Sequence, residues 1–147
     1  MKKSVLYLAV LICMMMQSVS TYGNDIIIPA EQLPAAAKSF IQRTFPGQEI
    51  SCAKMGTDFA KKIYEVCLDN GIEVEFDKCG TWDKVNCNYS AVPAHLVPAA
   101  IANYVKAQFT DVNVVKIDKD RSGYEVELSN SIELKFDRHG QLIKIDD

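Results

Sequence analysis

The chain has 147 residues and a formal net charge of −3, with 16 Lys and Arg against 19 Asp and Glu. This length suits one domain with its own core and is too short for two independent domains. The acidic balance argues against a nucleic-acid partner, because binding to phosphates depends on clustered Lys and Arg.

The N-terminus has the charged, apolar and small-residue order of a secretory signal peptide. Two lysines precede an apolar run that reaches Met16, and small residues end the segment at Gly23. The run is shorter than the roughly 20 residues that a bilayer span needs, and no other stretch approaches that length. We predict a signal peptide over residues 1–23, a single domain over residues 24–147, no membrane span, and a periplasmic or secreted location.

The part after residue 23 contains an internal repeat of about 60 residues. Residues 64–87 and 124–147 share eleven identities in 24 aligned positions, where ordinary composition would give about one or two. The preceding segments align at an offset of 64, so the first copy is four residues longer before Tyr64. We place the two repeats at residues 28–87 and 92–147.

Each copy is predicted to begin with a helix that starts at a proline, Pro34 or Pro98, where the missing N–H costs no hydrogen bond. Apolar residues then recur every three to four positions as far as Phe45 and Phe109. After each helix the period changes to two, with polar turns between the runs. The expected fold is α+β, with two tandem repeats, each an α-helix followed by a four-stranded antiparallel meander sheet, and the helices on one face.

Four cysteines follow residue 23, and an exported protein meets an oxidising environment in which thiols can pair. Cys52 aligns with Lys116 and Cys67 with Glu127, so the second copy has an opposite-charge pair where the first has two thiols. Both observations follow if these positions face each other across two strands, and we predict a Cys52–Cys67 disulfide.

Cys79 and Cys87 are the remaining pair. Cys79 is in a predicted hairpin turn and Cys87 at the end of the fourth strand, so a second disulfide requires that strand to curl back. The pair stays open between a disulfide and two free thiols. A redox role for Cys79 is the less favoured alternative, because the chain has no Cys-X-X-Cys motif.

No set of residues has the spacing of a catalytic or metal site. His95 and His139 are isolated, and there is no HExxH motif, no glycine-rich phosphate loop and no serine with a marked base. We therefore predict a protein that is not an enzyme and that has no cofactor, metal centre or catalytic residue.

The outward strand positions are rich in glutamate and predict an acidic open face of the sheet. The simplest interpretation is a solvated surface, and the functional one is a site for a protein or peptide partner. A second alternative is the binding of small cationic ligands or metal ions. A phenylalanine in the longer first hairpin is a further candidate contact, because it has little core to join. The candidate binding residues are Phe59, Glu65, Glu73, Glu75, Glu125, Glu127 and Glu133.

Residues 123–142 contain two runs of alternating polar and apolar residues, 123–128 and 132–136, followed by a loop that ends in Gly140. This pattern resembles the PepSY-like family of bacterial periplasmic proteins. Residues 63–82 of the first copy are similar to the same pattern. The resemblance implies an arrangement like that of the β-lactamase inhibitory protein, a tandem of helix-plus-sheet units whose concave sheet grips an enzyme loop. It implies a protein-binding or inhibitor-like function, it transfers no catalytic residue, and it does not imply β-lactamase inhibition itself.

Overall fold

The computed structural model describes residues 25–147, and the predicted signal peptide lies outside them. Two ten-residue helices, α1 (Ala35–Thr44) and α2 (Ala99–Gln108), each follow a short 3-10 turn. The strands are β1 (Ile26–Ile27), β2 (Ile50–Asp58), β3 (Lys61–Leu68), β4 (Glu73–Asp77), β5 (Trp82–Asn86), β6 (Val114–Lys119), β7 (Gly123–Leu128), β8 (Glu133–Asp137) and β9 (Leu142–Asp146). In this part of the chain no helix is long and apolar enough to cross a bilayer.

All nine strands form one antiparallel sheet in the order of the sequence. The prediction of two tandem units, each with its own four-stranded sheet, is therefore wrong, and the fold is mostly sheet with two short helices. The junction is the pairing of β5 with β6, which joins Lys84 to Asp118, Val85 to Ile117 and Asn86 to Lys116. This pairing satisfies the backbone groups of two strands that would otherwise be free sheet edges. At the other end β1, which was not predicted, pairs with β2.

One face of the sheet carries the core, because successive side chains of a strand point to opposite sides. A row of directly paired, buried residues crosses five strands: Val74, Val85, Ile117, Val126 and Leu134. Both helices pack on this face. The Phe40 ring of α1 lies 5.6 Å from the Phe76 ring, and the Tyr104 ring of α2 lies 5.6 Å from the Phe136 ring. The opposite side of the sheet, called the open face here, carries neither helix.

The turn between β4 and β5 fixes where α1 begins. Gly80 has a φ of +83°, and a Cβ at this position would lie 2.8 Å from the backbone nitrogen of Ala37. A similarly close approach recurs between β8 and β9, where a Cβ at Gly140 would lie 2.7 Å from the Cβ of Ala100 at the start of α2. Only glycine combines this backbone conformation with so close an approach. The first turn of each helix therefore packs directly against one of these glycine turns.

Candidate binding face

The charged side chains of the open face form two rows that cross the strands, because directly paired residues of neighbouring strands point to the same side. The balanced row contains equal numbers of lysines and acids: Lys54, Glu65, Glu75, Lys84, Asp118, Glu125, Lys135 and Lys144. The acidic row contains a single lysine: Glu73, Asn86, Lys116, Glu127, Glu133 and Asp146. The face is therefore less uniformly acidic than the sequence predicts.

Ion pairs neutralise two of the predicted binding glutamates. Lys54 Nζ lies 3.3 Å from Glu65 Oε1, and Lys84 Nζ lies 2.8 Å from Glu75 Oε1. Burial lowers the pKa of Lys84, but the hydrogen bond and the charge of Glu75 outweigh it, so the pKa of Lys84 is raised. Glu65 and Glu75 thus form ion pairs between neighbouring strands, and a partner that bound them would have to break these pairs.

Asp118 occupies the middle of the balanced row, at the junction of the two copies. Its carboxylate oxygens lie 3.9 Å from Lys84 Nζ and 3.8 Å from Lys116 Nζ. Burial raises the pKa of Asp118, and the two lysines oppose that shift only in part. Sequence reasoning missed this residue, although its alternation with the buried Ile117 marks it as an outward position.

The acidic row has four acids and one lysine and therefore carries a net negative charge. Glu127 and Glu133 face each other directly across β7 and β8, which is an unfavourable pairing of like charges. Glu73 and Glu133 are exposed, and Glu73 accepts only a 3.4 Å hydrogen bond from the amide of Asn86. Glu125, in the balanced row, is exposed as well, so three of the predicted glutamates, Glu73, Glu125 and Glu133, are open to a partner and Glu127 is half-buried.

The hairpin between β2 and β3 presents Phe59 at its tip. The loop has two residues, Phe59 and Ala60, because Asp58 pairs with Lys61. Their φ values of 44° and 64° fit a type I′ turn, which favours Asn-Gly over Phe-Ala. The left-handed conformation costs an L-residue roughly 1–2 kcal/mol. The Phe59 side chain is 90% exposed, so the fold holds an aromatic ring in water on an unfavourable backbone.

Phe59 and the acidic row lie at opposite ends of β3. The acidic row continues across β3 at Cys67, which pairs with Glu73. Cys67 and Ala60 are seven positions apart in the sequence, which corresponds to about 23 Å of extended strand. The structure therefore does not bring the predicted contact residues into one small pocket, and a partner that touches both ends is the size of a folded protein or of a long extended peptide.

The four cysteines among residues 25–147 are free thiols in the structure, and Cys52 lies directly opposite Cys67 in the β2–β3 register. Burial, followed by the nearby Cys52 and Glu65, raises the pKa of Cys67 to about 11. The register suits a cross-strand bond, and the bond itself stays a prediction. Cys79 is exposed, Cys87 is buried, and β5 extends between them, so the second bridge has no support in this conformation.

Metal ligands do not converge in the described chain. Between residues 25 and 147, no group of three or more His, Cys, Asp and Glu side chains is placed to hold a metal ion. His139 lies in the turn after β8, where its backbone N–H donates a 2.8 Å hydrogen bond to Asp137 Oδ1. His95 is exposed in the 3-10 turn before α2.

Comparison with known proteins identifies relatives for this fold. A family model described as "Putative beta-lactamase-inhibitor-like, PepSY-like" matches residues 62–144. A crystal structure of a "putative periplasmic protein from DUF2874 family" of Bacteroides vulgatus is 46% identical, with 84% of this chain and 98% of that chain covered and a TM-score of 0.79. No curated protein matches the chain.

Two further crystal structures have the same fold. A "putative calcium-regulated periplasmic protein" from Bacteroides thetaiotaomicron is 45% identical, with 84% of this chain and 98% of that chain covered and a TM-score of 0.80. A "putative periplasmic protein of unknown function" from Bacteroides vulgatus is 35% identical, with 84% and 100% covered and a TM-score of 0.81. These matches confirm the resemblance drawn from the sequence and agree with the predicted export.

Proposed function

The chain belongs to the PepSY-like family of periplasmic proteins, and from this premise we propose that it is a non-enzymatic protein-binding or inhibitor-like module. It binds its partner through the acidic row of the open face and through the β2–β3 hairpin. The observation that carries this proposal is Phe59, whose ring is 90% exposed at a two-residue turn of positive φ. Strained backbone and exposed aromatic residues both concentrate at recognition sites.

The charges of the open face narrow the chemistry of the partner. In the balanced row Lys54 pairs with Glu65 and Lys84 with Glu75. In the acidic row no lysine lies opposite Glu73 or Glu133, and Glu127 faces Lys116 on one side and Glu133 on the other. A matching partner therefore presents basic side chains to this row and an apolar pocket to Phe59. Opposite charges across such an interface chiefly speed association and select the partner, while a buried aromatic anchor supplies most of the affinity.

Crosslinking from an envelope extract, followed by titration of the purified partner, tests this assignment. Phe59→Ala removes the anchor, and the pair Glu73→Lys with Glu133→Lys reverses the acidic row without breaking an ion pair. The matched control is Glu31→Lys with Glu49→Lys, at two exposed acids outside both rows. We expect the control to retain the partner and each test variant to weaken binding by at least about tenfold.

A partner that binds all variants equally well would show that another surface is used. If no partner is captured by wild type at concentrations that detect micromolar binding, the module assignment loses its main support. Circular dichroism of each variant separates a lost contact from a lost fold.

A second candidate is the binding of calcium or another cation to the acidic row. The description of the Bacteroides thetaiotaomicron relative as "calcium-regulated" favours it. The absence of a converging ligand set within residues 25–147 counts against it, because calcium takes six to eight oxygen ligands. Calorimetric titration with calcium, zinc and spermidine distinguishes the two: heat that disappears with Glu73→Lys and Glu133→Lys supports cation binding, and no heat removes it.

A further inference from the structure

Within residues 25–147, β9 is the last strand of the sheet; no strand of this part of the chain pairs with its outer edge, and its apolar side chains are exposed. Leu142 is 36% exposed, Ile143 59% and Ile145 49%. Ile145 aligns with Val85 in the internal repeat, and Val85 is 0% exposed because β6 lies beside it. The two strands therefore occupy equivalent positions in the two copies, and among the nine described strands β5 has an outer neighbour, β6, whereas β9 has none. A free, partly apolar sheet edge is a template for the addition of another strand.

The sequence of β9 also matches the strand that covers β5. Residues 116–118 of β6 and 144–146 of β9 both read Lys-Ile-Asp. In β6, this triplet pairs antiparallel with residues 84–86 of β5, which places Asp118 opposite Lys84 and Ile117 opposite Val85. β9 thus has the same position in the second copy that β5 has in the first, and it carries the Lys-Ile-Asp triplet with which β6 pairs to β5.

We propose that β9 pairs antiparallel with β9 of a second copy of this chain, in a two-fold symmetric dimer centred on Ile145. In this register Lys144 of each copy faces Asp146 of the other, and Ile145 faces Ile145. The contact reproduces the Lys84–Asp118 and Val85–Ile117 pairs of the β5–β6 junction. A self-complementary triplet is what a symmetric interface requires, because the same residues must serve on both sides.

The charges favour this occupant over an unrelated strand. Lys144 Nζ now lies 2.6 Å from Asp146 Oδ1 of its own strand, and in β6 Lys116 likewise lies 3.8 Å from Asp118. In β6, Asp118 is nevertheless shared with Lys84 across the junction. The same sharing is open to Lys144 and Asp146. Two-fold pairing keeps both open faces on one side, so the dimer has one continuous face of eighteen strands.

Sedimentation analysis of the exported protein tests the dimer, with Cys79→Ser as background so that no intermolecular disulfide can imitate it. The interface is short, and we expect dissociation in the range of about 10 µM to 1 mM. The mean mass then rises from one chain toward two over these concentrations. Amide exchange at Ile145 slows over the same range.

Charge swaps then identify the register. Lys144→Asp alone and Asp146→Lys alone each place like charges opposite each other, and we expect each to weaken self-association at least about tenfold. An equimolar mixture of these two variants restores opposite charges, and it should dimerise as the parent does. Urea midpoints equal to the parent's show that the variants fold. A protein that stays monomeric at about 1 mM, single variants that still dimerise, or a mixture that does not recover would each overturn the proposal.

Discussion

Replacing Phe59-Ala60 with Asn-Gly should stabilise the protein while removing its proposed anchor. Both residues have positive φ, at roughly 1–2 kcal/mol each for an L-residue. Glycine also increases the conformational entropy of the unfolded chain, which reduces this gain in stability by about 0.4–1 kcal/mol. Because the Phe59 ring is 90% exposed, its removal sacrifices little packing. We expect the double variant to gain about 1–2 kcal/mol in free energy of unfolding.

Urea unfolding followed by circular dichroism measures this gain. With a slope of about 2 kcal/mol per molar urea, the midpoint should rise by about 0.5–1 M. Ala60→Gly alone is the matched control, because it relieves strain at the neighbouring position and leaves the Phe59 ring in place. It should stabilise by less and leave partner binding unchanged. If the double variant is less stable than wild type, the Phe59 ring makes contacts that offset its strain, and the argument from an idle, strained aromatic fails.

Three further predictions follow from packing, cysteines and charge. Gly80→Ala should lower the free energy of unfolding by about 2–4 kcal/mol and Gly47→Ala by about 1 kcal/mol. Both glycines have positive φ, but a Cβ would meet a helix only at Gly80. Equal losses of stability in urea unfolding would contradict this close contact. Intact mass and peptide mapping without reductant should show a Cys52–Cys67 bond, and its double serine variant should lose about 2–3 kcal/mol, as expected for a 15-residue separation; an unlinked pair in the exported protein would refute it. Burial raises the pKa of Asp118, so its ionised form destabilises the folded state at pH values above the usual pKa of Asp. Asp118→Asn should therefore raise the urea midpoint at pH 7 and leave it unchanged near pH 3, where the carboxyl is protonated in both states. A lower midpoint at pH 7 would mean that its two lysines outweigh burial.

Local patterns in the sequence determine which side of the sheet a residue faces. Val74 and Phe76 are fully buried, so alternation alone places Glu73 and Glu75 on the other side. Short turns determine the pairing of neighbouring strands in the same way, and the opposed positions of Cys52 and Cys67 follow from one hairpin. These inferences succeed because each depends on residues that are close in sequence.

The continuity of the sheet depends on distant residues and could not be predicted in this way. No turn links β5 to β6, because residues 87–113, with α2 among them, lie between these strands. Their register is set by packing against the shared core. The free backbone groups along β5 and β6 can pair with each other or remain at the edges of two separate sheets, and the local sequence does not distinguish these outcomes.

The internal repeat correctly placed Lys116 opposite Glu127, but the other lysines of the open face were missed for a different reason. The sequence marks Lys84 as clearly as the glutamates, since it precedes the buried Val85. What alternation cannot give is the cross-strand neighbour of each charge. That neighbour decides that Glu75 is paired and that Glu133 faces another glutamate.

The β5–β6 junction also has a consequence for how the chain folds. Glu75 and Lys84, which pair in a hairpin, are nine residues apart, whereas Lys84 and Asp118 are 34 apart. Closing the longer loop costs about 1 kcal/mol more in chain entropy, so the hairpins should form first and the junction late. Once it closes, the strands of both copies share one hydrogen-bonded ladder and one core. Neither half can then unfold without exposing the edge of the other, and the two copies should melt as a single cooperative unit.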